Sequence, residues 1–284
     1  MKNPSWVDEH IFDYNCFEEV PQHLFDTINA KLDMVQSNCP LVSVVICAWN
    51  EEVNILQTIS SLCRMKTGYP FEIVVVNNNS TDNTQVVLDK LNVRSFFQPM
   101  QGWGPARQLG LENARGKYIL IADADAIYPD VWIDEMVHEL LQPEVVCVYG
   151  RYSFIGERDY PRWMLYIHEK LKDIVAELRQ FKRPFLNAYG ISMGFVREYA
   201  LKVGYVMRNI RGEDGRMCFD LMRFGKIRQL RLDKARAWTF PRVFKKEGSL
   251  RHAILNRVKK ELNRLPEMFY SMPVHDTKAS ANEN

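Results

Sequence analysis

From residue 41 to residue 141, short runs of β-branched and other apolar residues alternate with stretches of helical spacing. This alternation limits the fold more than any other feature of the chain. Residues 41–48, which contain Val42, Val44, Val45 and Ile46, read as a buried strand. Residues 71–76, 93–98 and 118–122 read as three more. Between them, residues 51–66 carry Val53, Leu56, Ile59 and Leu62 at helical spacing, and residues 81–91 form a helix opened by Ser80-Thr81-Asp82. Residues 104–114 form a helix that Gly116 ends as a C-terminal glycine, and residues 131–141 form another. Such alternation implies right-handed crossovers and an α/β fold with a mostly parallel central sheet flanked by helices. Ligands then sit beyond the carboxyl ends of the strands. Four segments fall there: Trp49-Asn50-Glu51-Glu52, Asn77-Asn78-Asn79-Ser80, Gly102-Trp103-Gly104 and Asp123-Ala124-Asp125.

Beyond residue 145 the regularity weakens. Residues 145–148 read as a short strand, 161–181 as a long helix with proline in its first turn, 185–195 as mixed and 214–224 as helical. Residues 249–265 read as a basic helix and 273–284 as a tail. The organisation expected is an N-terminal extension over 1–40 with a helix near 21–33, an α/β domain over 41–240, and a helical C-terminal extension over 241–284. The chain has 284 residues, 46% of them hydrophobic, which is enough for a sizeable core. Its six cysteines are scattered without a Cys-x-x-Cys pair, and Cys47 lies in an apolar run, which points to a reducing compartment. The first residues lack the apolar stretch of a signal peptide, and the longest apolar run falls short of the roughly 20 residues needed to span a bilayer. The expected location is cytoplasmic, at most at the inner face of a membrane.

Net charge is +2, but it is unevenly spread. Residues 1–140 hold 9 Lys+Arg against 19 Asp+Glu, whereas the second half holds 28 against 16. A basic second half fits an anionic partner, whether phosphate, a membrane surface or nucleic acid, although nucleic acid is not among the partners expected; ordinary solvated faces are the alternative.

Asp123-Ala124-Asp125 puts two carboxylates at the end of a buried strand. Like charges that close are costly without a cation, and hard divalent ions such as Mn2+ or Mg2+ suit carboxylate-plus-phosphate sites. A simple turn is the alternative. Glu213-Asp214 opens a helix, where acids often only complement the dipole; as chemistry, one could be a general base for an acceptor hydroxyl.

The ordered set Val42-Ser43-Val44-Val45-Ile46, Asn50-Glu51-Glu52, Ile73 to Thr84, Ala106-Arg107, Gly116-Lys117-Tyr118-Ile119, Asp123-Ala124-Asp125 and Glu213-Asp214 resembles the family 2 glycosyltransferases of the GT-A fold. The likeness covers roughly residues 41–230. It implies an inverting, metal-dependent hexosyltransferase that uses a nucleotide sugar, a UDP-sugar first and a GDP-sugar second. The implied donor site is Ala48, Trp49, Asn50, Glu52, Asn78, Arg107 and Asp123, with Trp49 stacked on the base. Asn77 and Asn78 stand where the family carries an acidic base-binding pair. Asp123 and Asp125 would hold the metal, Asp214 would be the catalytic base beside Glu213, and Arg242, Lys245 or Lys246 would close over the diphosphate. For those three a solvated basic loop is the alternative, and for His252 the choice is metal ligand or surface histidine. Tyr189, Gly190 and Ser192 fall in the expected acceptor region, whose glycines allow close approach. The acceptor would be a glycan or a lipid-linked molecule in cell-envelope polysaccharide, glycan or glycolipid synthesis. The 249–265 segment either lies on an anionic membrane or packs on the domain. The Gln-x-x-Arg-Trp motif of processive synthases is absent, which favours single addition. Rival readings are a nucleotidyltransferase and an inactive nucleotide-binding protein of the same fold.

Overall fold

A computed structural model describes residues 1–207, 212–242 and Phe244. The expected elements at Lys245, Lys246, His252 and 249–284 lie outside them. A short helix α1 (Ser5–Asp8) and α2 (Gln22–Val35) precede the first strand. On α2, Phe25, Ile28 and Leu32 recur on one face and are buried. Strand β1 (Val42–Ala48) is followed by α3 (Asn54–Leu62), β2 (Phe71–Asn77), α4 (Thr84–Asp89), β3 (Arg94–Phe97), α5 (Trp103–Asn113) and β4 (Tyr118–Asp123). Then come β5 (Ala126–Ile127), α6 (Trp132–Leu140), β6 (Val145–Tyr149), β7 (Tyr152–Phe154) and the long α7 (Arg162–Gln180). The described chain closes with β8 (Met193–Val196), α8 (Arg197–Val203), α9 (Glu213–Leu221), β9 (Lys226–Gln229) and β10 (Ala237–Thr239).

The main sheet has the order β3-β2-β1-β4-β8-β6-β9. Its pairs are parallel except those of β8, which runs antiparallel to both β4 and β6. Every residue of β1 and β2 is buried, because helices cover both faces and neither strand is an edge. Val44 and Ile46 point into the core shared with α2, α3 and α6, and Val45 into the one shared with α5, α8 and α9. The register pairs Ala48 with Asn77 and Cys47 with Asp123, so β1, β2 and β4 end level. Strands β2 and β3 lie on one side of β1 and β4 on the other, so the strand order reverses at β1 and a crevice opens at those ends. A second sheet, β5-β10-β7, stands beside it.

Several details differ from the sequence expectation. The helix expected from residue 51 starts at Asn54, because the amides of Glu51 and Glu52 bond to Thr84 Oγ1 and Asp82 Oδ2 across the loop. The helix expected from residue 81 starts at Thr84, whose amide bonds Asp82 Oδ1. Gly116 does not end α5, which passes into an extended Ala114. It is needed for close approach instead: a Cβ there would sit 2.6 Å from the Ser43 amide nitrogen. The 185–195 region resolves into two 3-10 turns, Pro184–Asn187 and Gly190–Ser192, followed by β8.

Candidate active site

Two tight loops frame the crevice. Asn50 and Asn79 both take positive φ (55° and 56°), which asparagine tolerates better than most residues. Asn50 donates its amide to Ser80 Oγ (3.0 Å) and accepts the Thr81 amide on Oδ1 (2.8 Å), so the two loops are tied together. Ala48 ends β1 with its carbonyl accepting the Asn78 amide at 2.8 Å. Trp49, 43% exposed, is left on the surface beyond that tie. Glu52 is drawn into the loop, where Oε2 accepts the Asn83 amide (3.1 Å). Asn77 is buried, with Oδ1 on the Ser80 amide and Nδ2 on Gln85. Asn78 is buried too, and its Oδ1 holds the Gly102 amide at 2.9 Å. Both asparagines therefore support the loops from beneath.

The carboxylates gather around one buried arginine. Arg107, on α5, bonds through Nη1 to Glu213 Oε1 and Asp214 Oδ1, and its Nη2 lies 4.0 Å from Asp123 Oδ1. Asp214 Oδ2 accepts the Gly190 amide at 2.7 Å. The partners of Glu213 and Asp214 are thus on other elements, and neither side chain is spent on capping α9. Asp214 is pushed above the usual carboxylate range by desolvation, against the pull of Arg107. Asp123 is pushed up to about 7 by crowding protein atoms and then by Asp125, although 34% of its side chain is exposed. Its amide donates to Tyr128 Oη, which in turn donates to the Ile191 carbonyl, so a buried tyrosine fixes the strand end.

On the far side, Arg242 holds Glu51 in a two-point pair (2.7 and 2.8 Å), with its Nε 3.4 Å from Asp125 Oδ2. Burial raises the Glu51 pKa and Arg242 opposes the rise. Phe244, packed among Phe154, Tyr160 and His168, anchors the segment that carries Arg242. The sequence places Glu51 in the Asn50-Glu51-Glu52 run but gives it no role, and it does not mark Tyr128. The Glu51-Glu52 doublet does not say which carboxylate faces the site, and Tyr128 reads as core.

Of the expected acceptor residues, Gly190 touches the Asp214 carboxylate through its amide, and Tyr189 stands exposed with its ring edge-on to Tyr152. Ser192 is placed differently. It is fully buried, with Oγ accepting Trp132 Nε1 at 2.9 Å, so its side chain serves the core rather than a ligand. A Cβ on Gly190 would come within 2.0 Å of Arg107 Nη2. Gly190→Ala is expected to cost about 1–3 kcal/mol through overpacking and to lower turnover by displacing Arg107 and Asp214. Chemical denaturation beside an activity assay would read both, and a variant unchanged in both would mean that Arg107 is not pinned.

Asp123 and Asp125 supply hard oxygen donors whose side chains are part-exposed, 34% and 20%. No group of three or more His, Cys, Asp or Glu side chains able to hold an ion occurs among the described residues. Two carboxylates without a full protein cage fit Mg2+ or Mn2+, which take their remaining ligands from substrate phosphate and water.

The family model described as Glycosyl transferase family 2 matches residues 43–203. The chain belongs to this family. The chain is 30% identical over 123 residues to an uncharacterized glycosyltransferase of Haemophilus influenzae, a stretch covering 41% of the chain and 49% of the relative. It is 27% identical over 155 residues to the chondroitin synthase of Pasteurella multocida, covering 52% of the chain and 15% of the relative. The chain thus spans about half of the first relative's length and much less of the second. Among solved structures, glucosyl-3-phosphoglycerate synthase from Mycobacterium tuberculosis in complex with Mn2+ and UDP-glucose aligns with a TM-score of 0.54 at 20% identity, covering 84% of this chain and 81% of that one. A mannosyltransferase from Pyrobaculum calidifontis in complex with GDP-Man and Mn2+ gives 0.51 at 18%, covering 74% and 66%. The fold of the chain is therefore GT-A.

Proposed function

We propose that this glycosyltransferase moves a hexosyl group from a nucleotide sugar to an acceptor hydroxyl in one inverting displacement, in polysaccharide, glycan or glycolipid synthesis. The observation that carries the reading is the Arg107 cluster, which holds Asp214 from an element facing Asp123 across the crevice. Trp49 offers its exposed face to the base, and Asp123 and Asp125 would hold Mn2+ or Mg2+ against the diphosphate. When bound, that ion neutralises charge building on the leaving nucleoside diphosphate. Each carboxylate oxygen has two acceptor sites, so Asp214 keeps capacity for a proton beyond its bonds to Arg107 and Gly190. It takes the proton as the acceptor oxygen bonds to the anomeric carbon and the carbon–phosphate oxygen bond breaks, the electron pair leaving with the diphosphate. The transition state has oxocarbenium character, as in glycoside hydrolysis. Arg242, shared between Glu51 and Asp125, stands beside the carboxylate that would hold the ion and could meet the diphosphate there. Support for a UDP- or GDP-linked donor and a divalent ion comes from the solved relatives named above, which carry UDP-glucose or GDP-Man with Mn2+.

The test is nucleotide release from a panel of UDP- and GDP-sugars with Mn2+, read beside tryptophan fluorescence. The productive donor is expected to change the emission, and Trp49→Phe to remove most of that change among the six tryptophans. Release from no donor in the panel would overturn the transferase reading. A signal that survives in Trp49→Phe would move the base elsewhere.

A further inference from the structure

Helix α7 is built inside out. Its buried residues include Arg162, His168, Glu169 and Asp173, a mostly charged or polar set. They are satisfied internally: Arg162 Nη2 meets Glu169 Oε2 at 2.8 Å, and Asp173 pairs with Arg236. Leu165 is buried with them, but most of the large apolar residues face outward. Trp163, Ile167, Leu171, Ile174 and Leu178 are all exposed, and Phe181, the residue after the helix, is 90% exposed. Their spacings of four and three residues set them in one stripe, about 27 Å long at helical rise. A contiguous apolar row of this size on a water-facing surface marks an interaction site.

The charges on α7 say what covers the stripe. Lys170 and Lys182 are exposed along it, and Arg179 and Arg183 flank Phe181 at its end. The helix's acids do not compete: Glu169 and Asp173 are buried, and Glu177 is taken by Arg151 and Arg231. The nearest acid to Lys170 is Asp233, at 3.9 Å. An apolar row edged by cations, with no acid of its own helix left to meet the lysines of a second copy, suits anionic headgroups above acyl chains. No helix among the described residues is long and apolar enough to cross a membrane, so α7 would lie in the interface plane.

We propose that the outward face of α7 docks this protein on an anionic lipid bilayer. The chain runs from α7 through the Pro184–Asn187 turn, tied back by Asn187 Nδ2 on the Ala176 carbonyl, to Gly190 and its bond to Asp214. Ala176 lies about 180° around the helix from Ile167, so the tie to the crevice is on the face of α7 opposite the stripe, and the docking does not rest on the transferase reading.

The test is co-sedimentation of the full chain with vesicles of phosphatidylcholine alone and with added phosphatidylglycerol. Wild type is expected to sediment with the anionic vesicles. The double substitution Leu171→Glu and Leu178→Glu should weaken this by about tenfold or more while leaving the thermal midpoint and the transfer to a soluble acceptor unchanged. Brominated lipid should quench a part of the emission that Trp163→Phe removes. Three results would overturn the proposal: no sedimentation of wild type, a double variant that sediments like wild type, or a stripe-dependent dimer in ultracentrifugation with no vesicle binding. The second would put the membrane contact elsewhere on the chain, and the third would make the stripe an interface between copies.

Discussion

Asp214→Asn is expected to lower turnover by about 10²–10⁴-fold, the usual cost of losing general-base help, while donor affinity barely changes. The amide keeps the size of the carboxylate, and its single oxygen can still accept from Arg107, while the bond from the Gly190 amide is given up because an NH2 takes the place of the second oxygen. It cannot take a proton at neutral pH. The wild-type pH profile gives a second reading. The deprotonated form is the active one and predominates above the pKa, so the rate falls as pH drops through it. Desolvation raises that pKa more than Arg107 lowers it, which places the acid limb of kcat/KM above the ordinary carboxylate range. Product stereochemistry is independent of both, because one displacement turns an α-linked donor into a β-linked product. Near-normal turnover in Asp214→Asn would return Glu213-Asp214 to an electrostatic role at the start of α9. A product that retains the donor's configuration would leave the fold standing and replace the mechanism.

The same cluster shows where sequence reading reaches and where it stops. Strands β1, β2 and β4 were legible because burial on both faces leaves an unbroken apolar run, and Asp123-Ala124-Asp125 was legible because it ends such a run. Strands β5, β7 and β10, two or three residues each, carry no period long enough to detect, so the second sheet was not foreseen. Gly116 misled because glycine serves both left-handed caps and close approach, and only the Ser43 backbone pressed against it tells the two apart. Ser192 misled because its neighbouring glycines belong to the crevice while its own hydroxyl belongs to Trp132. The Glu51–Arg242 pair joins residues 191 apart, and no local pattern announces it. Long-range pairing is what folding adds to the sequence, and here it decides which carboxylates face the crevice.

That long-range pair also sharpens the second large effect, expected for Asp125→Ala. Asp125 meets only one cation among the described residues, Arg242 Nε at 3.4 Å, and Glu51 holds the same guanidinium at two points. Removing Asp125 should therefore leave Arg242 in place and the fold intact. In calorimetric titrations without metal, the variant should bind a nucleoside diphosphate as well as wild type or slightly better, since one negative charge facing the phosphates is gone. With Mn2+ present the order should reverse. Two unit charges 4 Å apart near a protein surface interact by roughly 4 kcal/mol, and a dication facing one carboxylate fewer loses on that scale. The enhancement of binding by Mn2+ should fall by at least about a hundredfold in the variant. The crossing of the two responses separates a metal ligand from a carboxylate that merely steadies Arg242, because the latter would weaken binding with and without Mn2+ alike. Equal enhancement in variant and wild type would remove Asp125 from the metal site and leave Asp123 to hold the ion with the substrate alone.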